Sequence, residues 1–167
     1  MSGRGTCSVT GGRRRRPRRA RSLAGRPHDR VLRLAAKAAL QRPAVNFDAT
    51  QIRAVAAGFG DYARRANLAI WACAVMPDHV HLVLGRHRMD MGKLVIQLKG
   101  AATRRLAAEG VHPFPKADRQ AKCFARGEWK VFLDSDEDVL RSIRYVEQNP
   151  EKEGFATQRW EFVTPYV

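Results

Sequence analysis

His79 and His81 stand one residue apart in the stretch VMPDHVHLVLG, residues 75–85. In an extended chain, residues i and i+2 point the same way, so both imidazoles and Val83 share one face, and Val80, Leu82 and Leu84 the other. Two imidazoles aimed alike form half of a site for a divalent metal. The pattern is short, and it also fits two satisfied polar residues on a half-exposed sheet face. A second constellation lies in SIRYVEQNPEKEG, residues 142–154. Tyr145 and Asn149 are spaced by one helical turn and so lie on one face. Tyr145 offers a phenolic oxygen, and Asn149 can place an amide oxygen near whatever Tyr145 approaches. Read alone, Tyr145 also fits a half-buried packing residue, and Asn149 an ordinary helix-end residue before Pro150.

The elements that must position these groups follow from periodicity. DRVLRLAAKAAL, residues 29–40, has helical spacing and ends at Arg42-Pro43. Asp48 starts a second helix, and Gln51 three residues on makes a capping-box-like start. Ile52, Val55, Ala56, Phe59, Tyr62 and Ala66 form its apolar stripe, weakened by Gly58 and Gly60. LAIWACAV, residues 68–75, is short and free of polar residues, as a central strand is. Met76-Pro77-Asp78 is a tight turn, and residues 79–85 return as the second strand of a hairpin. From about residue 90 to 109 the period is helical, with Leu94, Leu98, Ala101 and Leu106 on one side and Lys93, Gln97 and Arg104 on the other. Residues 110–122 read as a loop, with Pro113 and Pro115. Residues 122–134 read as strands around a Gly127 turn. Ser135 caps a helix over 136–148, with Asp136, Glu137 and Asp138 where the helix dipole favours acids, and Pro150 and Gly154 end it. The tail QRWEFVTPYV reads as a further strand. The order predicts an α+β sandwich with helices on one face of an antiparallel sheet.

Taken together and in this order, MPDHVHLVL and, some sixty residues later, RYVEQNPEKEG resemble the REP-associated tyrosine transposases. These form part of the wider class of single-tyrosine HUH transposases, also called IS200-like, which move insertion sequences as single strands. His79-Val80-His81 matches the His–hydrophobe–His motif, and Leu98-Lys99-Gly100 fills a middle position. The resemblance runs from about residue 42 to 160. Asp78 stands where the family usually carries asparagine. Glu151 and Glu153 replace an apolar and a small residue. The family's opening strand has no counterpart in residues 1–47, so the first strand is missing or degenerate.

The resemblance implies a ferredoxin-like sandwich with the HUH strand central and the tyrosine helix beside it. It implies that His79, His81 and Asn149 bind Mg²⁺ or Mn²⁺ and that Tyr145 is the nucleophile. A metal held by neutral ligands keeps its positive charge and polarises a phosphodiester. A phenol ordinarily titrates near pH ~10, so it needs help to lose its proton. Attack gives a 5′-phosphotyrosine and a free 3′-hydroxyl, and the covalent link lets a later hydroxyl reverse the step. The implied partner is single-stranded or hairpin DNA, and some relatives are homodimers while others act as monomers. Lys93, Lys99, Arg104, Arg105, Arg141 and Arg144 are candidate backbone contacts, although most basic helix residues are merely solvated. The two remaining tyrosines fit other roles: Tyr62 falls on an apolar stripe, and Tyr166 lies at a chain end, where fraying is common.

Composition agrees. The chain has 167 residues, 44% of them apolar, and a formal net charge of +15, which points to a polyanionic partner. Nine arginines and no acid fall within residues 1–26, leaving +6 for the domain over residues 27–167. A segment of Gly, Arg, Ser and Pro cannot offset its ordering entropy, so 1–26 reads as a disordered arm. It is either a phosphate-binding tail or an extension from a wrongly chosen start. Three cysteines without C-x-x-C argue against a disulfide framework and for an intracellular, cytoplasmic protein, and no apolar run is long enough for a membrane span. Two other readings stay open. One is a domesticated or inactive HUH-fold protein that only binds DNA. The other is a zinc-stabilised nucleic-acid-binding protein, for which Cys73, His87, His112 and Cys123 are scattered and lack finger spacing. Deleting residues 1–26 is expected to leave the thermal transition nearly intact and to flatten the salt dependence of DNA binding. Unfolding on deletion would place an essential element in the arm.

Overall fold

A computed structural model describes residues 45–114, 122–125, 128 and 130–167. The arm, the helix expected at 29–40, Pro115 and the Gly127 turn lie outside the described residues. Within them, the order is α1 (Ala49–Ala66), β1 (Ile70–Val75), β2 (Val80–Leu84), α2 (Met91–Ala108) and α3 (Asp136–Lys152). The class is α+β, as expected.

The capping box at the start of α1 is complete. Asp48 Oδ1 accepts from the amides of Thr50 and Gln51, both at 2.8 Å, and Gln51 Oε1 accepts from the Asp48 amide at 3.0 Å. Three donors at the helix start are thus satisfied or shared. Asn67, at φ 51°, closes the other end in the left-handed region that asparagine tolerates. β1 and β2 pair antiparallel, with Val75 opposite Val80 and Ala74 opposite His81.

Helices cover both faces of this hairpin, not one. Cys73 and Val75 of β1 face α1 and α2, in a core with Val55, Phe59, Leu94, Leu98 and Leu106. Ala72, Ala74 and Val83 face α3, through Val139 and Val146. A strand without polar residues has no face to give to water, so it must be covered twice.

Gly58, which looked like a weakness, is where α1 meets α2. A Cβ there would lie 2.7 Å from the Ala102 Cα and 2.9 Å from the Ala101 carbonyl oxygen. Both are backbone atoms, so the helices would have to part. Gly58→Ala is expected to destabilise by about 1–3 kcal/mol, outweighing alanine's better helix propensity of ~1 kcal/mol. Urea denaturation checks it; an unchanged or higher midpoint contradicts the close approach.

Three other expectations are corrected. α3 does not stop at Pro150 but runs on to Lys152. The proline costs one amide near the helix end, its ring is fully buried, and its own carbonyl accepts from the Phe155 amide at 2.8 Å. No strand forms among the described residues of 122–134. The tail contributes one parallel bridge, Val163 to Ile70, instead of a strand. Side chains complete the outer edge of β1: the Gln158 amide exchanges two 2.8 Å hydrogen bonds with the Val75 backbone, and Trp160 Nε1 donates to the Cys73 carbonyl. The paired edge has no need of a ladder there.

Candidate active site

The hairpin turn is held from both sides. The Met76 amide donates to the His79 carbonyl at 2.8 Å, and the Phe47 amide donates to the Pro77 carbonyl at 2.7 Å. His79 lies one residue before β2, and His81 lies within it. Their rings share a face, with centroids 4.8 Å apart and planes at 83°. His79 Nδ1 is 2.7 Å from Asp78 Oδ1. The small residues Ala72 and Ala74 line the same face and leave room for a helix to pass close above it.

That helix is α3. The Tyr145 ring stands edge-on to His81, 5.6 Å between centroids at 81°, and Tyr145 is 38% exposed. Asn149, one turn further on, is only 4% exposed, and its Nδ2 has no hydrogen-bond partner. An orphaned buried amide nitrogen costs about 1–3 kcal/mol. Turning the amide over would put its oxygen, the atom that can ligate a metal, in the same place. Two residues at the end of α3, Lys152 within it and Glu153 capping it, to which the sequence assigned no chemistry, also arrive. Lys152 Nζ lies 5.5 Å from the Tyr145 ring centroid, and Glu153 Oε1 lies 3.9 Å from His79 Nε2. Lys152 could have been found from its spacing, since it follows Tyr145 by two helical turns. Glu153 could not, because its approach to His79 is tertiary.

Among the described residues, no three or more His, Cys, Asp or Glu side chains form a metal-holding group. The Asn149 amide is a neutral group of the type that can stand beside two histidines as a third ligand. The donor chemistry of these residues fits a divalent ion: two imidazoles, one of them hydrogen-bonded to a carboxylate at its other nitrogen, and a buried amide in want of a partner.

The basic residues are not brought to one surface. Those on α2 and those on α3 belong to opposite layers of the sandwich. Several already have partners. Lys99 Nζ donates to the Ala125 carbonyl, and burial pulls its ammonium below the ordinary lysine range, partly offset by Glu128. Arg105 pairs with Glu109 and Asp61, and Arg141 with Glu137 and Asp138. Lys93, Arg104 and Arg144 are exposed. An open cleft of about 460 Å³ brings Arg64 and Arg65 of α1 beside Arg104 and Arg105, with Asp61 among them. Arg64 and Arg65 sit at the end of α1, where basic residues suit the helix dipole, and that ordinary role concealed them.

Tyr62 is core, as expected. Tyr166 is not frayed: its ring packs edge-on against Trp71 at 4.6 Å, and its hydroxyl donates to Asp136, which raises its pKa. His112 and Cys123 are not scattered either. Cys123 Sγ lies 2.9 Å from His112 Nε2, while burial holds the thiol above its usual range. His87 instead bonds the Ala66 carbonyl, and burial pushes the Cys73 thiol up. The described residues thus hold a His–Cys pair and no closed four-ligand zinc site.

A family model described as "Transposase IS200 like" matches residues 41–149. No curated protein and no solved structure matches the chain.

Proposed function

Since this chain belongs to the IS200-like transposase family, and so to enzymes that cleave and rejoin DNA, we propose that it cuts one strand of hairpin-forming DNA through a covalent tyrosine intermediate. The observation that carries this reading is the contact chain from His79 to His81 to Tyr145, with centroid separations of 4.8 and 5.6 Å. It joins a hairpin strand to a helix more than sixty residues away. The nucleophile is also exposed enough to reach a polymer.

In the proposed reaction the Tyr145 oxygen attacks the scissile phosphorus. The phenol gives up its proton, the bond from phosphorus to the 3′-oxygen breaks, and that oxygen leaves as a 3′-hydroxyl after gaining a proton. Tyr145 keeps the 5′-phosphate until a second 3′-hydroxyl displaces it. Mg²⁺ or Mn²⁺ bound by His79, His81 and Asn149 would act as a Lewis acid toward the phosphate. Lys152, whose Nζ lies over the Tyr145 ring, would supply a positive charge near the nucleophile. Exposed cations along Arg64, Arg65 and Arg104 hold the DNA backbone without reading sequence. No helix among the described residues is long and apolar enough to cross a membrane.

The test uses a labelled single strand that carries a hairpin and the fully paired duplex of the same sequence, each incubated with protein and Mn²⁺. Cleavage of the single strand alone supports the proposal. Equal cleavage of the duplex contradicts it. Binding without any cleavage identifies a DNA-binding relative that has lost the reaction.

A further inference from the structure

We propose that Asp78 is the positioning residue for His79: it holds the imidazole in the tautomer that carries its proton on Nδ1 and turns the Nε2 lone pair toward α3. The inference rests on the reading of His79 as a metal ligand.

Adjacent residues of a strand point to opposite faces, so neighbouring side chains rarely meet. Here they meet because Asp78 is in the turn and His79 is at its exit. Asp78 Oδ1 and His79 Nδ1 are 2.7 Å apart, with side chains only 11% and 16% exposed. The turn is stiff: Pro77 fixes one dihedral, its carbonyl is tied to Phe47, and Met76 is tied to His79. A carboxylate accepts and cannot donate, so the proton of this bond sits on Nδ1. In the neutral ring Nε2 then carries the lone pair.

Nε2 faces Glu153 Oε1 at 3.9 Å. That is longer than a hydrogen bond and places Nε2 on the side of the hairpin that meets the end of α3. A carboxylate behind an imidazole makes the opposite nitrogen a better donor, and its loss typically costs a metal site about 10–100-fold in affinity. Asparagine at this position would keep an acceptor oxygen and lose the charge. It should therefore preserve the tautomer and give an intermediate affinity.

The experiment reads the tautomer without metal and the affinity with it. Two-bond ¹H–¹⁵N spectra of the metal-free protein, at a pH where imidazole is neutral, report which His79 nitrogen is protonated. Titration with Mn²⁺ followed by electron paramagnetic resonance gives Kd. The wild type should show Nδ1–H. Asp78→Ala should lose that preference and raise Kd about 10–100-fold. Asp78→Asn should keep the tautomer with a smaller rise in Kd, and it remains informative if the alanine variant folds poorly. His81→Ala should abolish Mn²⁺ binding and leave the His79 tautomer alone. Nε2–H in the wild type, or an unchanged tautomer and Kd in Asp78→Ala, overturns the role of Asp78 while the metal site stands. A wild type that shows Nδ1–H yet binds no Mn²⁺ overturns the metal reading instead.

Discussion

His81→Ala is expected to leave hairpin DNA bound and uncut. Of the two histidines, His81 is the one whose ring contacts both His79 and Tyr145. If it ligates the ion, its loss removes Lewis-acid help of several kcal/mol from the transition state. At one decade per ~1.4 kcal/mol, that is a fall in cleavage rate on the order of 10³-fold or more. Binding should change little, since many phosphate contacts set it and the exposed cations lie on both layers of the sandwich. Folding should survive because His81 is only half-buried and lies opposite Ala74, in a part of the sheet built from small residues. Fluorescence anisotropy gives the affinity, and single-turnover cleavage with excess protein gives the rate. Full cleavage by His81→Ala, or by the wild type in EDTA, would remove the metal from the reaction.

Local patterns were legible where local interactions decide the structure. Asp48 with Gln51 marked the start of α1 to the residue, and Ser135 did the same for α3, because caps are short-range hydrogen bonds. The hairpin and the face shared by His79 and His81 followed from the period of a strand. Pro150 misled because the rule that proline ends a helix concerns the interior; here the missing donor falls in the last turns and the ring has a buried site. The described residues of 122–134 misled for a different reason. A run can have strand-like composition, but a strand exists only if a partner edge is free, and that edge is decided elsewhere in the chain. The outer edge of β1 shows the same limit, since Gln158 and Trp160 satisfy it with side-chain groups that no periodicity marks. In the site, the residues carried by motif were visible in advance. The contacts of Asp78, noted as a turn residue in place of asparagine, and of Glu153, noted as an acidic helix exit, were not legible: the first depends on the side-chain geometry of the turn and the second on where the end of α3 comes to lie.

Tyr145→Phe is expected to abolish covalent capture of DNA and to leave the fold and DNA binding intact. The substitution removes one oxygen. The ring remains to pack edge-on against His81 and beneath Lys152. The hydroxyl belongs to a residue that is 38% exposed, so its loss opens no buried cavity. The other described tyrosines are poorly placed to substitute. Tyr62 is 8% exposed in the core, with its hydroxyl beside Met89, and the Tyr166 hydroxyl is engaged by Asp136. A 3′-labelled hairpin strand is incubated with protein and Mn²⁺, denatured and resolved by electrophoresis. Attack through the 5′-phosphate leaves the label on the protein, so the wild type should retain it and Tyr145→Phe should fall to background. Peptide mapping should place the adduct on the α3 peptide. Capture that persists in Tyr145→Phe, or an adduct on Tyr62 or a serine, would assign the nucleophile elsewhere, because a phenyl ring has no atom with which to form the phosphodiester.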